Sequence, residues 1–306
     1  MSDMTVSFMP HITGKGNTGR IILDVIIALL PASLFSAVLF GLRALVVICV
    51  CVAACVFFEW VFGILTRRKN TVSDLSAVLT GMLLALSLPV TIPLWQAAFG
   101  CLVAIILVKQ LFGGIGKNFA NPAVTAHVVM SLAFVSSMAA WVSPFGGART
   151  IHPLTHLFTG ELGALPGVWQ MFFGIRGGGL GETSALLLLI GGLYLLVRKV
   201  ITWHIPAAFI GTVFAVTALL GAQPVYHLLS GSLLLAAIFM ATDPVTAPLT
   251  KSGRAIFGIG AGLFTVIIRL WGNSTEGVFY AILLMNILVP YINRITYKKA
   301  FGGLRA

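Results

Sequence analysis

The chain has 306 residues, of which 58% are hydrophobic and 9% charged, with a mean hydropathy of +1.04. This composition excludes a soluble domain of any size and is typical of a polytopic membrane protein. The formal net charge of +11 would suit a nucleic-acid-binding protein, but its distribution along the chain points elsewhere.

Apolar runs near the length that crosses a bilayer recur along the whole chain. We predict ten transmembrane helices, which makes this an all-α integral membrane protein. They cover residues 21–41, 44–65, 74–90, 93–111, 121–142, 182–198, 203–221, 225–242, 254–272 and 276–296. The 20 residues before the first run lack the apolar core and small-residue cleavage site of a signal peptide, so none is expected.

The basic residues are distributed unevenly between the two sides of the predicted bundle. With the N-terminus inside, only four lie in outer segments: Arg43, Arg149, Arg176 and Arg269. The other fifteen of the 19 lie in inner segments: Lys15, Arg20, Arg67, Arg68, Lys69, Lys109, Lys117, Arg198, Lys199, Lys251, Arg254, Arg294, Lys298, Lys299 and Arg305. This positive-inside asymmetry predicts that both ends lie in the cytoplasm and explains the net charge without nucleic acid as a partner. The expected location is the cytoplasmic (inner) membrane of a bacterium or archaeon.

All four cysteines (Cys49, Cys51, Cys55 and Cys101) fall within predicted spans. Their spacing along one helix points them in different directions, and no histidine accompanies them. Small buried apolar residues are therefore favoured over a metal or iron–sulfur site, and no metal is predicted.

Two short motifs recur five runs apart. LPVTIP (88–93) follows the third run and DPVTAP (243–248) follows the eighth, while VKQLFGG (108–114) and IIRLWGN (267–273) end the fourth and ninth. Small pairs open the runs before both Pro-Val-Thr motifs: Thr80-Gly81 and Ser230-Gly231. Because five is odd, the halves would enter the membrane in opposite directions, which predicts a 5+5 inverted repeat with its site near the midplane. Chance recurrence in an apolar chain is the alternative.

The predicted organisation follows from this repeat. The segments are a cytoplasmic N-terminus (1–20), a first five-helix repeat (21–142), an outer loop with an interfacial aromatic segment (143–181), a second five-helix repeat (182–296) and a cytoplasmic C-terminus (297–306).

The stretch GGIGKNFANPA (113–123) interrupts two apolar runs with glycines, amides and a lysine. Glycine allows a tight turn that presents backbone N–H groups, and Asn121-Pro122 is typical of a helix start. N–H groups there, with Lys117 beside them, suit an anion or the carbonyl edge of a ring. The spacing fits neither a P-loop nor GxGxxG. We interpret the stretch as a bent polar connection that lines a cofactor or ion site.

Asp243 in FMATDPVTAPLT (239–250) has no counterpart in the first half, where Leu88 occupies its position. A carboxylate before a proline among threonines is costly at membrane depth, so Asp243 is a candidate site residue. The alternative is a helix N-cap with Pro244 in the first turn.

GGIGKNFANPA resembles the Gly-Gly-x-Gly-x-Asn…Asn-Pro-Ala element of the NqrB/RnfD family of membrane flavoproteins. Segments 16–32, 179–206 and 239–250 are similar to further family elements, in the family's order, and the short N-terminus is closer to RnfD than to NqrB. The resemblance implies a component of an Rnf-type complex, with the A, B, C, E and G subunits as partners. Such a complex passes electrons between ferredoxin and NAD through flavins and iron–sulfur centres and couples this to Na⁺ or H⁺ transport. It also implies an inverted-repeat, urea-transporter-like fold that holds flavin in the membrane.

The resemblance also implies FMN esterified to a threonine in the outer loop after the fifth span. Here that loop reads WVSPFGGARTIHPLTHLF (141–158), and alignment on Pro153-Leu154 places His152 at the acceptor position. Histidine cannot form the phosphoester, and Thr150 is only a weak substitute because its surroundings differ. We therefore expect FMN or riboflavin held without a covalent bond.

A flavin ring needs a flat apolar slot with a few hydrogen-bond partners. The candidate residues lie on inner connections that could converge: Gly113, Gly114, Lys117, Asn118, Asn121, Thr242 and Asp243.

Three carboxylates fall in or beside the first spans. Glu59 in the second span has no capping role and no basic neighbour in sequence, so we interpret it as part of an ion path. Asp24, at the first turn of the first span, is a second candidate, whereas Asp74 in SDLS is typical of an N-cap. We expect Glu59→Gln to reduce ion transport and leave assembly intact. Glu182 in GETS is interpreted as an outer helix start.

The chain is not expected to be a complete enzyme, because it has no recognisable nicotinamide site and no ferredoxin-type cysteine cluster. The alternative function is a stand-alone channel or transporter for a small polar solute on the same fold. The family motifs, and Asp243 in only one half, weigh against it.

Overall fold

The computed structural model describes residues 18–67, 72–272 and 274–297. Most of the predicted cytoplasmic ends, and the basic residues Lys15, Arg68, Lys69, Lys298, Lys299 and Arg305, lie outside this part. Within it the chain is helical, and the only β-type pairing is an isolated bridge between Val142 and Arg149.

In the part of the chain that the structure describes, four helices are long and apolar enough to cross a bilayer: α1 (Thr18–Phe40), α2 (Leu42–Thr66), α13 (Lys251–Gly272) and α14 (Gly277–Thr296). At about 1.5 Å per residue, the shortest spans about 30 Å, the thickness of the hydrocarbon core. Apolar side chains such as Leu42 (79% exposed) and Leu65 (76%) project outward from α2, as lipid-facing residues do. The prediction of an all-α integral membrane protein is therefore confirmed.

Shorter apolar helices overlap the other predicted runs. They are α3 (Ser76–Ser87), α4 (Leu94–Gln110, π-helical from Val103), α5 (Pro122–Ala133), α9 (Ala185–Val197) and α10 (His204–Leu219). Prolines lie at several helix ends. Helix α3 stops before Leu88-Pro89, and α4 starts directly after Pro93.

Two predicted helices are interrupted. The fifth run was predicted to reach residue 142, but α5 ends at Ala133 and only α6 (Val135–Met138) follows. At the break, the Phe134 ring packs edge-on against Trp95 and Phe99, with centroids 5.3 and 5.5 Å away. The eighth run divides into α11 (Pro224–Leu229) and α12 (Leu233–Leu235, continued by a π-helical turn, Ala236–Met240), because Gly231 between them has φ +66°.

The predicted outer loop contains α7 (Pro153–Thr159), a 3₁₀ turn (Leu162–Ala164) and α8 (Val168–Phe173). The chain then runs back against the end of α3. Leu180 and Gly181 donate backbone hydrogen bonds to Leu88 O (3.0 Å) and Leu86 O (2.7 Å). The loop therefore satisfies carbonyl groups that the end of α3 leaves free. Trp169 on α8, in the segment predicted to be interfacial, is 73% exposed.

Two contacts join helices of the predicted first group to helices of the predicted second group. α1 packs against α9, and α5 packs against α14. Within the groups, α2 packs on α3 and α4, and α10 packs on α13.

Candidate functional site

The glycine-rich stretch is a tight connection between α4 and α5. Gly113, Gly114 and Gly116 all have φ between +86° and +112°, which residues with a side chain rarely adopt. The Asn121 side chain then caps α5, since its Oδ1 accepts from the N–H groups of Ala123 (3.0 Å) and Val124 (3.2 Å). The predicted turn and helix start are both present.

Asn121 also reaches the second predicted segment. Its Nδ2 donates to Met240 O at 3.2 Å, and Asn121 is 3% exposed. The structure thus brings the glycine-rich connection against the turn that contains Thr242 and Asp243, although the two are 119 positions apart.

Thr242 and Asp243 are held within their own turn. Thr242 Oγ1 donates to Ile238 O at 2.6 Å. Asp243 accepts from Val245 N–H (3.3 Å) and Thr246 Oγ1 (3.1 Å). Since α13 begins only at Lys251, Asp243 stabilises a turn and is not the N-cap of that helix.

Lys117 and Asn118, which were predicted as site residues, lie with Phe112 and Phe119 along the edge of the glycine-rich connection, which we call its rim. Lys117 is exposed, and its aliphatic chain lies against Gly113. Asn118 Oδ1 is buried and has no hydrogen-bond partner among the described residues. The rings of Phe112 and Phe119, both about half exposed, stand 4.7 Å apart. The rim thus combines apolar ring surface with one free hydrogen-bond acceptor.

Glu59 belongs to a buried polar cluster on the predicted inner side. Lys109 Nζ lies 2.8 Å from Glu59 Oε1 and also donates to Ser76 Oγ. Gln110 Nε2 donates to Glu59 at 2.9 Å. Glu59 and Lys109 are only 2% and 1% exposed. Lys109 could not be predicted as the partner of Glu59, because it lies 50 positions away in the sequence.

Asp24 lies at the contact between α1 and α9. It accepts from Tyr194 Oη at 3.0 Å and from Arg198 Nη2 at 3.2 Å. Through its hydrogen bonds and charge, the Asp24 carboxylate raises the pKa of the Arg198 guanidinium, which lies just beyond the end of α9. Asp24 is thus part of an ion pair at the edge of the bundle.

The outer loop engages His152 in a buried network. His152 Nδ1 accepts from Leu154 N–H at 3.2 Å, and Nε2 lies 3.2 Å from Glu182 Oε1. Glu182 also accepts from Ser232 Oγ and lies 3.8 Å from Arg176 Nη1. Thr150 is half-buried beside Gly177 and takes no part in these contacts.

Two buried arginines were assigned to outer segments by the sequence analysis. Arg176 donates to Glu182 O at 2.7 Å. Arg269 donates to His227 O (2.7 Å) and Ser230 O (3.1 Å), which are carbonyl groups at the break between α11 and α12. Their roles depend on tertiary contacts and have no local sequence signature.

The buried cysteines form no metal centre in the described chain. Cys51, Cys55 and Cys101 are fully buried, and Cys101 Sγ lies 3.4 Å from Cys51 O. Among the described residues, no group of three His, Cys, Asp or Glu side chains could hold a metal ion.

Comparison with known proteins gives consistent matches over almost the full length. The NQR2, RnfD, RnfE family model matches residues 5–302. The chain is 43% identical over 304 residues to the D subunit of the Na⁺-translocating ferredoxin:NAD⁺ oxidoreductase complex of Acetobacterium woodii, covering 98% of this chain and 96% of that protein. It is 39% identical over 323 residues to the D subunit of the proton-translocating ferredoxin:NAD⁺ oxidoreductase complex of Clostridium ljungdahlii, covering 98% and 97%. It is 38% identical over 339 residues to the D subunit of the ion-translocating oxidoreductase complex of Stutzerimonas stutzeri, covering 94% and 93%. The resemblance predicted from the sequence motifs is confirmed, and the chain belongs to the NQR2, RnfD, RnfE family.

Proposed function

We propose that this chain is the membrane-embedded D subunit of an Rnf-type complex that couples ferredoxin:NAD electron transfer to Na⁺ or H⁺ translocation. The observation that carries the proposal is 43% identity along 98% of the chain to the D subunit of such a complex. The two relatives most specifically named translocate different ions, Na⁺ and protons, so the names leave the ion open.

The proposed architecture is ten transmembrane helices in a 5+5 inverted repeat. Contacts between α1 and α9, and between α5 and α14, support it, because a two-fold relation brings equivalent elements together. A second parallel supports it too. In each half, a buried cationic side chain near the end of the fourth predicted span donates a hydrogen bond to the third predicted span of the same half. Lys109 donates to Ser76 in the first half, and Arg269 donates to Ser230 O in the second.

The proposed cofactor is flavin, FMN or riboflavin, next to the contact between Asn121 and Met240. The rim residues fit the group in kind: Asn118 Oδ1 is a free acceptor for a ring N–H, and Phe112 and Phe119 offer apolar faces. Gly113, Gly114 and Lys117 would line the connection, with Thr242 and Asp243 facing it. A bound flavin would supply the redox chemistry, while these residues would hold and orient it.

The proposed attachment is non-covalent. His152 stands at the position of the usual acceptor, and it is buried in contact with Glu182. Thr150, the weak substitute, lies against Gly177.

The remaining features complete the proposal. The chain would lie in the cytoplasmic membrane with both ends inside and assemble with the A, B, C, E and G subunits. Glu59 and Asp24 would line the ion path, with Lys109 as the internal cation that a translocated ion displaces from Glu59.

The test is purification of the tagged chain from its native membrane under mild conditions. Co-purification of the other subunits, with flavin absorption and ferredoxin:NAD-driven ion uptake into vesicles, would support the proposal. Loss of the flavin fluorescence on a denaturing gel would show non-covalent binding. A flavin-free chain that purifies alone and carries a small polar solute across vesicles would refute it in favour of the channel alternative.

A further inference from the structure

A buried histidine bridges the two helix groups at the contact between α5 and α14. His127 on α5 is 0% exposed, and its ring stacks on Phe279 with the centroids 3.7 Å apart. Nδ1 lies 2.9 Å from Ser87 Oγ, and Nε2 lies 2.6 Å from Glu276 Oε2. None of these residues had a role predicted from the sequence.

The three polar residues connect the outer end of α14 to the interior. Ser87 is the last residue of α3, immediately before the Pro-Val-Thr break. Glu276 directly precedes α14, and its side chain is 15% exposed. The line of hydrogen bonds therefore runs from a partly accessible carboxylate to a fully buried hydroxyl.

The Ser87 hydroxyl has one proton and two acceptors within reach. Leu84 O lies 2.7 Å away, and His127 Nδ1 lies 2.9 Å away. If Ser87 donates to His127, then Nδ1 is unprotonated and Nε2–H donates to an ionised Glu276. If Ser87 donates to Leu84, then Nδ1–H must donate to Ser87. Nε2 and Glu276 then face each other at 2.6 Å and need a second proton between them.

These two arrangements share the same heavy-atom positions and differ by one proton. We propose that Ser87, His127 and Glu276 form a proton-binding site that exchanges with the outer aqueous phase through Glu276. On loading, a proton from water joins the His127–Glu276 pair and the Ser87 hydroxyl rotates toward Leu84. No bond between heavy atoms changes, and no electrons move.

Arg269 and Tyr280 are further charged or titratable groups on the elements packed around this site. Arg269 on α13 interacts electrostatically with Glu276. Tyr280, one turn along α14, lies 3.1 Å from Ser131, which is one turn along α5. Neither changes in the variants below, so differences between variants report on the three residues themselves.

The test is a pH titration of the full-length chain in lipid nanodiscs, with histidine labelled by ¹⁵N. His127→Gln identifies the signals of His127. Infrared spectroscopy of the carboxyl groups detects the protonated form of Glu276. In a titration run from about pH 5 to about pH 8, we expect one reversible proton uptake by the pair. Glu276→Gln should weaken this uptake about tenfold or more, because it removes the charge that shares the proton.

Two further variants keep the test decisive. Ser87→Ala should also weaken proton uptake, because it removes the acceptor for His127 Nδ1–H. This variant replaces Glu276→Gln in the comparison if Glu276→Gln does not fold. His156→Gln is the matched control, since it removes a similar pair with the exposed Glu161 (3.1 Å) and should leave the His127 titration unchanged. A wild-type pair that takes up no proton in this range, or an uptake unaffected by both variants, would overturn the site.

The contribution of this site to ion transport rests on the proposed function, whereas the titration of the isolated chain does not. A positive titration in a chain that fails to join an Rnf-type complex would therefore refute only the proposed function.

Discussion

At the scale of single residues, the contact between Glu59 and Lys109 changes the expectation for Glu59. Removing one partner of a buried ion pair leaves the other charge uncompensated, which costs about 3–5 kcal/mol. We therefore predict that Glu59→Gln lowers the thermal unfolding midpoint of the chain in detergent as well as reducing transport. Assembly would not stay intact, contrary to the expectation from the sequence.

The double variant Glu59→Gln/Lys109→Met separates the two effects. It removes both charges, so most of the lost stability should return while ion transport in vesicles stays low. Full recovery of transport would exclude Glu59 from the ion path.

Residues close in sequence to their partners were the predictable ones. Asn121 caps the helix that its own Pro122 begins, and both lie in one short motif. The partners of Glu59, His127 and His152 could not be predicted, because Lys109, Glu276 and Glu182 lie 50, 149 and 30 positions away. A single sequence records which charges exist but not which helices bring them together.

At the scale of elements, each predicted apolar run overlaps a helix, because hydrophobic length is a strong indicator in membranes. The ends were less predictable. The break at Phe134 depends on Trp95 and Phe99, which belong to another helix, whereas the break near Gly231 coincides with the small pair noted in the sequence. Among the described residues only four helices reach full spanning length, so the lengths of the apolar runs in the sequence did not reveal the interruptions.

Close packing of α10 on α13 gives a prediction at this scale. A Cβ atom on Gly262 would lie 2.7 Å from Thr212 Cβ and 3.0 Å from Phe209 O. Gly258, four residues earlier, approaches Ile205 O in the same way, as in the small-xxx-small contacts of membrane helices. We predict that Gly262→Leu forces the helices apart, costs about 1–3 kcal/mol or more and lowers the unfolding midpoint.

Gly211→Leu on α10 is the control for this prediction. A Cβ atom at Gly211 would meet nothing within 4 Å, so the variant should unfold close to the wild-type temperature. Equal effects of the two substitutions would show that helix propensity, not packing, determines the outcome.

At the scale of the whole molecule, the repeated Pro-Val-Thr motifs predicted two five-helix groups, and α1 of the first contacts α9 of the second while α5 contacts α14. The groups therefore meet through helices rather than only through the outer loop. Gly191 is central to one contact, since a Cβ there would lie 2.5 Å from Ala28 O. Asp24, one turn before Ala28 on α1, accepts hydrogen bonds from Tyr194 and Arg198 at the same contact.

This arrangement predicts that the chain can be divided in the outer loop. Gly163 is in the 3₁₀ turn, where an added Cβ would meet nothing within 4 Å, and exposed loops tolerate cleavage best. Co-expressed fragments 1–162 and 163–306 should co-purify with a tag on either one. Gly191→Leu should reduce their recovery severalfold, because it separates α1 from α9, whereas Gly211→Leu should not. Fragments that never co-purify would show that an unbroken outer loop, and not the helix contacts, holds the two groups together.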